Sequence, residues 1–376
     1  MDIKLILLLV GNLLLWLLTR SLRKKRGVHT LFIILLSSLI TLTTIELAYR
    51  FIIKKDPIVT ESNRNFGTYA THPTIGYMIA EPGVLEIKKT TRSGELIYQT
   101  KYQLMADTGA NSFGLNHRVG YQQSASDTNE LVFLGCSITF GEGLQDNETM
   151  AYKTGKGLSQ NAVNLGLSGY GTQQAYSIFM NRYKGKKDGV KRTFIYSFIP
   201  DHILRAKCIY PWNLHDPYYT VQGDSLHLEG KAQKHSKYAG NYTFAKYLSV
   251  YNTFTFVTDI VTSSMIAKAD KDVTNEDYQR VFYMLRDMRR EMEANGDRLV
   301  IIYWNKYQWR DKDDSKIVDR ARIEKELEQL NSGNSMVLPV SEAFDINDAN
   351  FFFKYDGHPT AVANQKLTDL LLQHLK

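Results

Sequence analysis

The side chains best suited to chemistry lie at two distant places in the chain. One is Ser137, in Leu131-Val-Phe-Leu-Gly-Cys-Ser-Ile-Thr-Phe-Gly141. This stretch begins as a short apolar run, the pattern of a buried strand, and breaks into Gly-Cys-Ser where that strand should end. Open α/β sheets hold their ligands at the C-terminal ends of strands, so a serine delivered there is a candidate nucleophile. The same serine would also suit the cap of a following helix. The other place is Tyr355-Asp-Gly-His-Pro-Thr360. A serine hydroxyl is a weak nucleophile until a base takes its proton, and a histidine oriented by a carboxylate is such a base. Asp356 and His358 are two residues apart, a spacing that points both side chains the same way in extended backbone, and Pro359 stiffens the loop. The chemistry implied is acyl transfer, with Ser137 as nucleophile, His358 as base and Asp356 as orienting carboxylate. Alone, the second segment also reads as an ordinary solvated loop before a helix.

The two ends together resemble the SGNH (GDSL-type) hydrolases. Gly135-Cys-Ser-Ile-Thr-Phe-Gly141 resembles the family's Gly-Asp-Ser block. Asn164-Leu-Gly-Leu-Ser-Gly-Tyr-Gly-Thr-Gln173 resembles its second block, with Gly169 as the block glycine, and Asp356-Gly-His358 resembles its last. The resemblance spans roughly residue 131 to the C-terminus. It implies a three-layer α/β/α flavodoxin-like domain with a parallel sheet, hydrolysis or transfer of acyl esters, and an oxyanion pocket formed by the amides of Ser137 and Gly169. Two positions depart from the pattern. Cys136 stands where the family usually has Asp, a mild change because that residue is not the nucleophile. Asp201, in Phe194-Ile-Tyr-Ser-Phe-Ile-Pro-Asp-His202, stands where an Asn donor to the oxyanion is expected. A carboxylate donates no hydrogen bond unless protonated, and losing one such donor costs about a hundred- to a thousand-fold in rate. Either His202 or another donor replaces it, or activity is altered or absent.

The elements that must position these residues follow from the alternation of patterns. Residues 131–135, 161–165, 192–199, 298–304 and 335–340 read as strands. Residues 176–183, 276–294, 314–330 and 361–375 carry helical periodicity. Such alternation predicts a parallel sheet covered on both faces. Residues 203–265 interrupt it with a tyrosine-rich insertion that includes Trp212 and a predicted hairpin turning at Gly223-Asp224. Insertions of this length often form lids or substrate-binding loops, and a satellite hydrophobic cluster is the plainer alternative. His202, His215, His227 and His235 lack the spacing of a metal site, so neither a metal nor another cofactor is expected.

Residues 53–128 read as a small β-rich segment. Val84-Leu-Glu-Ile-Lys-Lys and Glu95-Leu-Ile-Tyr-Gln-Thr-Lys-Tyr102 predict strands joined through Arg92-Ser-Gly94, residues 111–114 predict a turn, and residues 122–129 form a polar linker. Nothing in this segment suggests catalysis; a structural cap is the simpler reading. The expected organisation is therefore 1–52, 53–128 and 129–376.

Residues 1–52 hold two apolar runs, 3–18 and 30–49, around Arg20-Ser-Leu-Arg-Lys-Lys-Arg26. A spanning helix needs about 20 apolar residues, and a basic loop of this kind stays in the cytoplasm. The expectation is a two-helix membrane anchor with the rest of the chain outside. No small-residue cleavage site follows the first run, and its positive charge lies after it, unlike a signal peptide. Glu46 is costly at mid-membrane and is expected near the outer interface or against the partner helix. The basic loop supplies five of the chain's seven net positive charges, so the remainder excludes a nucleic-acid partner. Apolar content of 43% and aromatic content of 12% are ample for a core, and the two cysteines, Cys136 and Cys208, form no disulfide framework. The sequence thus predicts a membrane-anchored, extracytoplasmic serine esterase acting on acyl, especially O-acetyl, esters of cell-envelope carbohydrate or lipid. An O-acyltransferase of an envelope polysaccharide, working with a membrane partner protein, is the alternative within the same chemistry. An inactive binding or scaffold protein is the alternative outside it.

Overall fold

Strand β7, Asn129–Leu134, shows why this chain builds a covered sheet. Its side chains alternate between the two faces, and both sets are apolar: Leu131 and Phe133 enter one core, Val132 and Leu134 the other. A strand apolar on both faces belongs in the middle of a sheet with helices on either side. The computed structural model of the chain describes residues 3–49, 52, 58–64, 68–91, 93–107, 113–123, 128–235, 260, 273–305, 318–331 and 333–376. The predicted turns at 92–94 and 111–114, the linker at 122–129, the insertion beyond His235 and the start of the 314–330 helix fall wholly or partly outside the described residues.

Five strands are parallel: β7, β8 (Asn161–Asn164), β9 (Lys191–Phe198), β12 (Arg298–Tyr303) and β13 (Met336–Pro339). Their spatial order is β8-β7-β9-β12-β13, the 2-1-3-4-5 order of a flavodoxin-like sheet, whose topological switch lies beside the first strand. One face carries α5 (Thr172–Arg182) and the helix Asn275–Ala294; the other carries α4 (Met150–Leu158) and the helix Ala361–Leu375. The three-layer α/β/α expectation is met, and each of the five predicted strands lies within a residue or two of its observed position.

The expected boundary between 53–128 and the rest is corrected. Strands β1 (Ile58–Ser62), β4 (Gly83–Thr91), β5 (Leu96–Met105) and β6 (His117–Tyr121) continue the same sheet, pairing antiparallel up to β8, in the order β1-β4-β5-β6-β8. Residues Pro57–Ala239 and Ala269–Lys376 form one compact unit. The physical reason is edge satisfaction: β8 would otherwise leave a row of unpaired amides and carbonyls. A short hairpin of this segment, β2 (Tyr69–His72) with β3 (Gly76–Ile79), stands apart from that sheet. Within the insertion, β10 (Pro217–Gln222) and β11 (Ser225–Lys231) form the predicted hairpin, with Gly223 at φ 59° in its turn.

The other unit comprises Met1–Asp56 and Gly240–Lys268. Most of its described residues form a helical hairpin, α1 (Ile3–Ser21) and α2 (Arg26–Ala48). Asn12 Nδ2 of α1 donates to Thr43 Oγ1 of α2 at 2.8 Å. Glu46 is fully buried, while Leu13, Leu14, Leu31 and Ile34 are exposed. Helix α2 is long and apolar enough to cross a membrane; the apolar part of α1, Ile6–Ser21, is shorter.

Candidate active site

Ser137 reaches the sheet edge through a sharp turn. Gly135 follows β7 with φ 140°, and a Cβ there would sit 2.4 Å from Thr139 Oγ1, so only glycine lets the chain fold back so tightly. Ser137 then opens a one-turn helix, α3 (Ser137–Phe140), that ends at Gly141 in the left-handed conformation. Arg118 of β6, fully buried, fixes this turn from the side. Its guanidinium donates to the carbonyls of Phe140, Gly141 and Leu144, each at 2.7 Å, and to Asp146 at 2.8 Å. Its plane also lies over the ring of Tyr102, 4.4 Å from the centroid. Asn164, at the end of β8, donates to the Thr139 carbonyl at 2.9 Å.

His358 arrives on a tight loop before the last helix. The Phe353 amide donates to the His358 carbonyl at 2.8 Å, Phe352 and Pro359 form an isolated antiparallel bridge, and Tyr355 and Gly357 take φ values of 70° and 80°. The Asp356 carboxylate accepts from His358 Nδ1, which orients the ring, and His358 lines the cavity. Burial pushes the Asp356 carboxyl up. The His358 hydrogen bond and the Lys89 ammonium outweigh that and hold it well below the usual carboxylate range.

A cavity of about 500 Å³ is lined by Ser137, Ser168, Gly169 and His358, together with Lys89, Glu142, Tyr69, Tyr77, Arg205 and Trp212. Gly169 takes φ 85°, and a Cβ on it would meet the Tyr77 hydroxyl at 2.5 Å and Trp212 Nε1 at 3.1 Å. Tyr77 OH donates to the Ser168 carbonyl at 2.8 Å, holding the Ser168–Gly169 peptide at the cavity wall. Among the described residues, the amides of Ser137 and Gly169 enter no turn or ladder hydrogen bond.

The structure therefore brings Ser137, Gly169, Asp356 and His358 to one place. Asp201 is corrected. Its carboxylate accepts from Arg205 Nε at 2.8 Å and from the Tyr210 hydroxyl at 2.6 Å, so it acts as an acceptor, and the described lining of the cavity does not include it. His202 does not replace it either: it is fully buried, with Nδ1 2.7 Å from the Tyr196 hydroxyl, and burial pushes its pKa far down. The insertion contributes Arg205, Trp212 and His215 to the lining. Trp212 is 45% exposed and stacks on Tyr210 at 4.6 Å with rings 4° from parallel.

Two residues of this cavity, Lys89 and Glu142, were not singled out by the sequence. Lys89 of β4 donates to Glu142 Oε1 at 2.7 Å and to Asp356 Oδ2 at 2.9 Å. Glu142 also accepts from Ser168 Oγ at 2.7 Å, and its Oε2 lies 3.7 Å from His358 Nε2. Burial raises the Glu142 pKa, but His358 and Lys89 together bring it below its ordinary value. Lys89 carries the opposite balance: burial lowers its pKa and the two carboxylates raise it further than that. Glu142, Asp356 and His358 place three donor atoms within 4.8 Å of one another, a grouping of the metal-binding kind, but the ammonium of Lys89 already bridges its two carboxylates. A charged residue between two glycines in Gly141-Glu-Gly143 was the available signal for Glu142. Lys89 gave none, since it lies in an ordinary alternating strand.

No family model and no curated protein matches the sequence. Solved structures with related chain courses do occur. A lipolytic protein of the G-D-S-L family from Desulfitobacterium hafniense is 14% identical, with a TM-score of 0.37, over 65% of this chain and 98% of that one. A carbohydrate esterase family 2 enzyme with a carbohydrate-binding domain, from Corynascus thermopiles, is 9% identical, with a TM-score of 0.36, over 77% and 75%. A GDSL-like lipase from Bacteroides thetaiotaomicron is 14% identical, with a TM-score of 0.33, over 68% and 91%. At these identities and scores no residue-level correspondence follows.

Proposed function

We propose that this chain is a membrane-anchored serine esterase of the SGNH type. The observation that carries the reading is the convergence of Ser137 and His358, from distant places in the chain, on one cavity with Gly169, while Asp356 holds His358 Nδ1. In the first half-reaction Ser137 Oγ bonds to the acyl carbonyl carbon and its proton passes to His358 Nε2. The amides of Ser137 and Gly169 donate to the oxyanion, taking the place of the Asn donor that Asp201 cannot supply. The tetrahedral adduct collapses, the ester oxygen leaves with the proton from His358, and the acyl group stays on Ser137. In the second half-reaction an attacking hydroxyl releases it, with His358 again as base and then acid.

The α1–α2 hairpin, with its basic turn, supports a two-helix anchor whose turn stays in the cytoplasm. That orientation puts the catalytic unit outside and makes envelope glycans or lipids the accessible esters. The half-exposed Trp212, stacked on Tyr210 at the cavity wall, offers the flat apolar face on which sugar rings rest, which favours O-acetylated carbohydrate. The test is hydrolysis of 4-nitrophenyl acetate by the full chain in detergent, beside Ser137→Ala. Turnover should vanish in the variant. Equal turnover in both folded proteins, or none in the wild type with any acyl ester, would refute the reading.

A further inference from the structure

We infer that Glu142 is a catalytic residue of the second half-reaction: it holds the attacking oxygen beside His358, and the occupant it selects is water. This rests on Ser137 forming an acyl-enzyme. The argument begins with geometry. Glu142 Oε2 and His358 Nε2 lie 3.7 Å apart, and both side chains line the cavity that holds Ser137. One oxygen placed at an ordinary hydrogen-bond distance of about 2.8 Å from each atom spans such a gap. Both atoms accept, so the spanning oxygen must donate twice. Water has two O–H bonds. An alcohol has one, and its carbon would be turned against the carboxylate, leaving a half-buried charge without that hydrogen bond.

Glu142 is built to stay ionised and fixed for this task. Oε1 accepts from Lys89 at 2.7 Å and from the Tyr98 hydroxyl at 3.3 Å, and Oε2 accepts from Ser168 Oγ at 2.7 Å. Only 19% of the Glu142 side-chain surface is exposed. Its backbone amide donates to the Ser137 carbonyl at 3.1 Å, so nucleophile and carboxylate belong to one rigid turn. Ser168 precedes Gly169, so the same loop supplies the oxyanion amide and steadies Glu142.

The step balances without any further reagent. Water oxygen bonds to the acyl carbon of Ser137. One water proton passes to His358 Nε2, while the other stays on the oxygen and is held by Glu142. The tetrahedral adduct collapses, the bond to Ser137 Oγ breaks, and Oγ takes the proton from His358. The carboxylic acid leaves and ionises in solvent.

The experiment is rapid mixing of the full chain in detergent with 4-nitrophenyl acetate, with intact mass measured after acid quench, for wild type and Glu142→Gln. The expected result is a burst of nitrophenol that persists while the deacylation rate falls by about 100-fold, with acetyl accumulating on Ser137 and deacylation losing far more than acylation. Ser168→Ala, which leaves the carboxylate but frees its Oε2 side, should slow deacylation in the same direction by less. It serves as the second variant where Glu142→Gln does not fold. A loss that falls equally on burst and deacylation would overturn the inference, since it would mean that Glu142 only supports Lys89 and Asp356. Deacylation at the wild-type rate in both variants would overturn it as well. Absence of any acetyl on wild-type Ser137 would instead refute the nucleophile reading beneath it.

Discussion

Replacing Lys89 by methionine is the most revealing single perturbation of this site. The ammonium lies 2.7 Å from Glu142 Oε1 and 2.9 Å from Asp356 Oδ2, with 14% of its side-chain surface exposed and 4% of that of Asp356. Removing one partner from a buried ion pair costs on the order of 3–5 kcal/mol, because the charges left behind lose their compensation. Here two carboxylates would remain, one against each nitrogen of His358. A charge lost at such range shifts the pH at which a site works by roughly 1–3 units, and the two carboxylates left uncompensated favour the cationic form of a base set between them. An imidazole held protonated is no base. The acid limb of the kcat/KM profile should therefore move up by about 1 unit or more, with activity near pH 6 falling about tenfold or more and recovering above pH 8. Chemical unfolding at neutral pH should show the loss of stability, and the loss should shrink at acid pH. There the sign follows from Asp356 and Glu142. Both are held below their ordinary values, so their contribution is complete above about pH 4.5 and disappears as pH falls through their folded values. A Lys89→Met protein with an unmoved acid limb would refute the view that this ammonium governs the pH dependence of the site.

Two further outcomes follow from the same geometry. Gly169→Ala puts a Cβ 2.5 Å from the Tyr77 hydroxyl at a φ of 85°; kcat should fall about a hundred-fold or more with KM little changed, and wild-type kcat in the folded variant would remove this amide from the oxyanion pocket. Asp216 is fully buried and burial pushes its pKa up to about 7, so its folded form binds protons more tightly than the unfolded one; stability should therefore fall as pH rises from about 4 to 7, and Asp216→Asn should flatten the melting temperature over that window, an unchanged slope arguing against the assignment.

The sequence alone determined the parallel sheet and the individual residues that meet at the candidate site, for local reasons. A run such as Leu131-Val-Phe-Leu, apolar on both faces, fits only a covered strand, and Gly135 and Gly141 mark turns whose backbone requires no Cβ. Asp356 and His358 were legible because two residues of spacing fix their mutual reach. Tertiary structure decided what depends on distant strands meeting. Residues 53–128 looked like a separate cap because their alternating pattern says which face is buried, not which edge they join. Joined to β8, they deliver Arg118 beneath the serine turn and Lys89 between two carboxylates. The fate of Asp201 was likewise hidden, since its role depends on Arg205 and Tyr210 closing on it. A residue's type and neighbours in sequence give its possible chemistry; the charges set against it across the fold give its protonation, its reach and therefore its task.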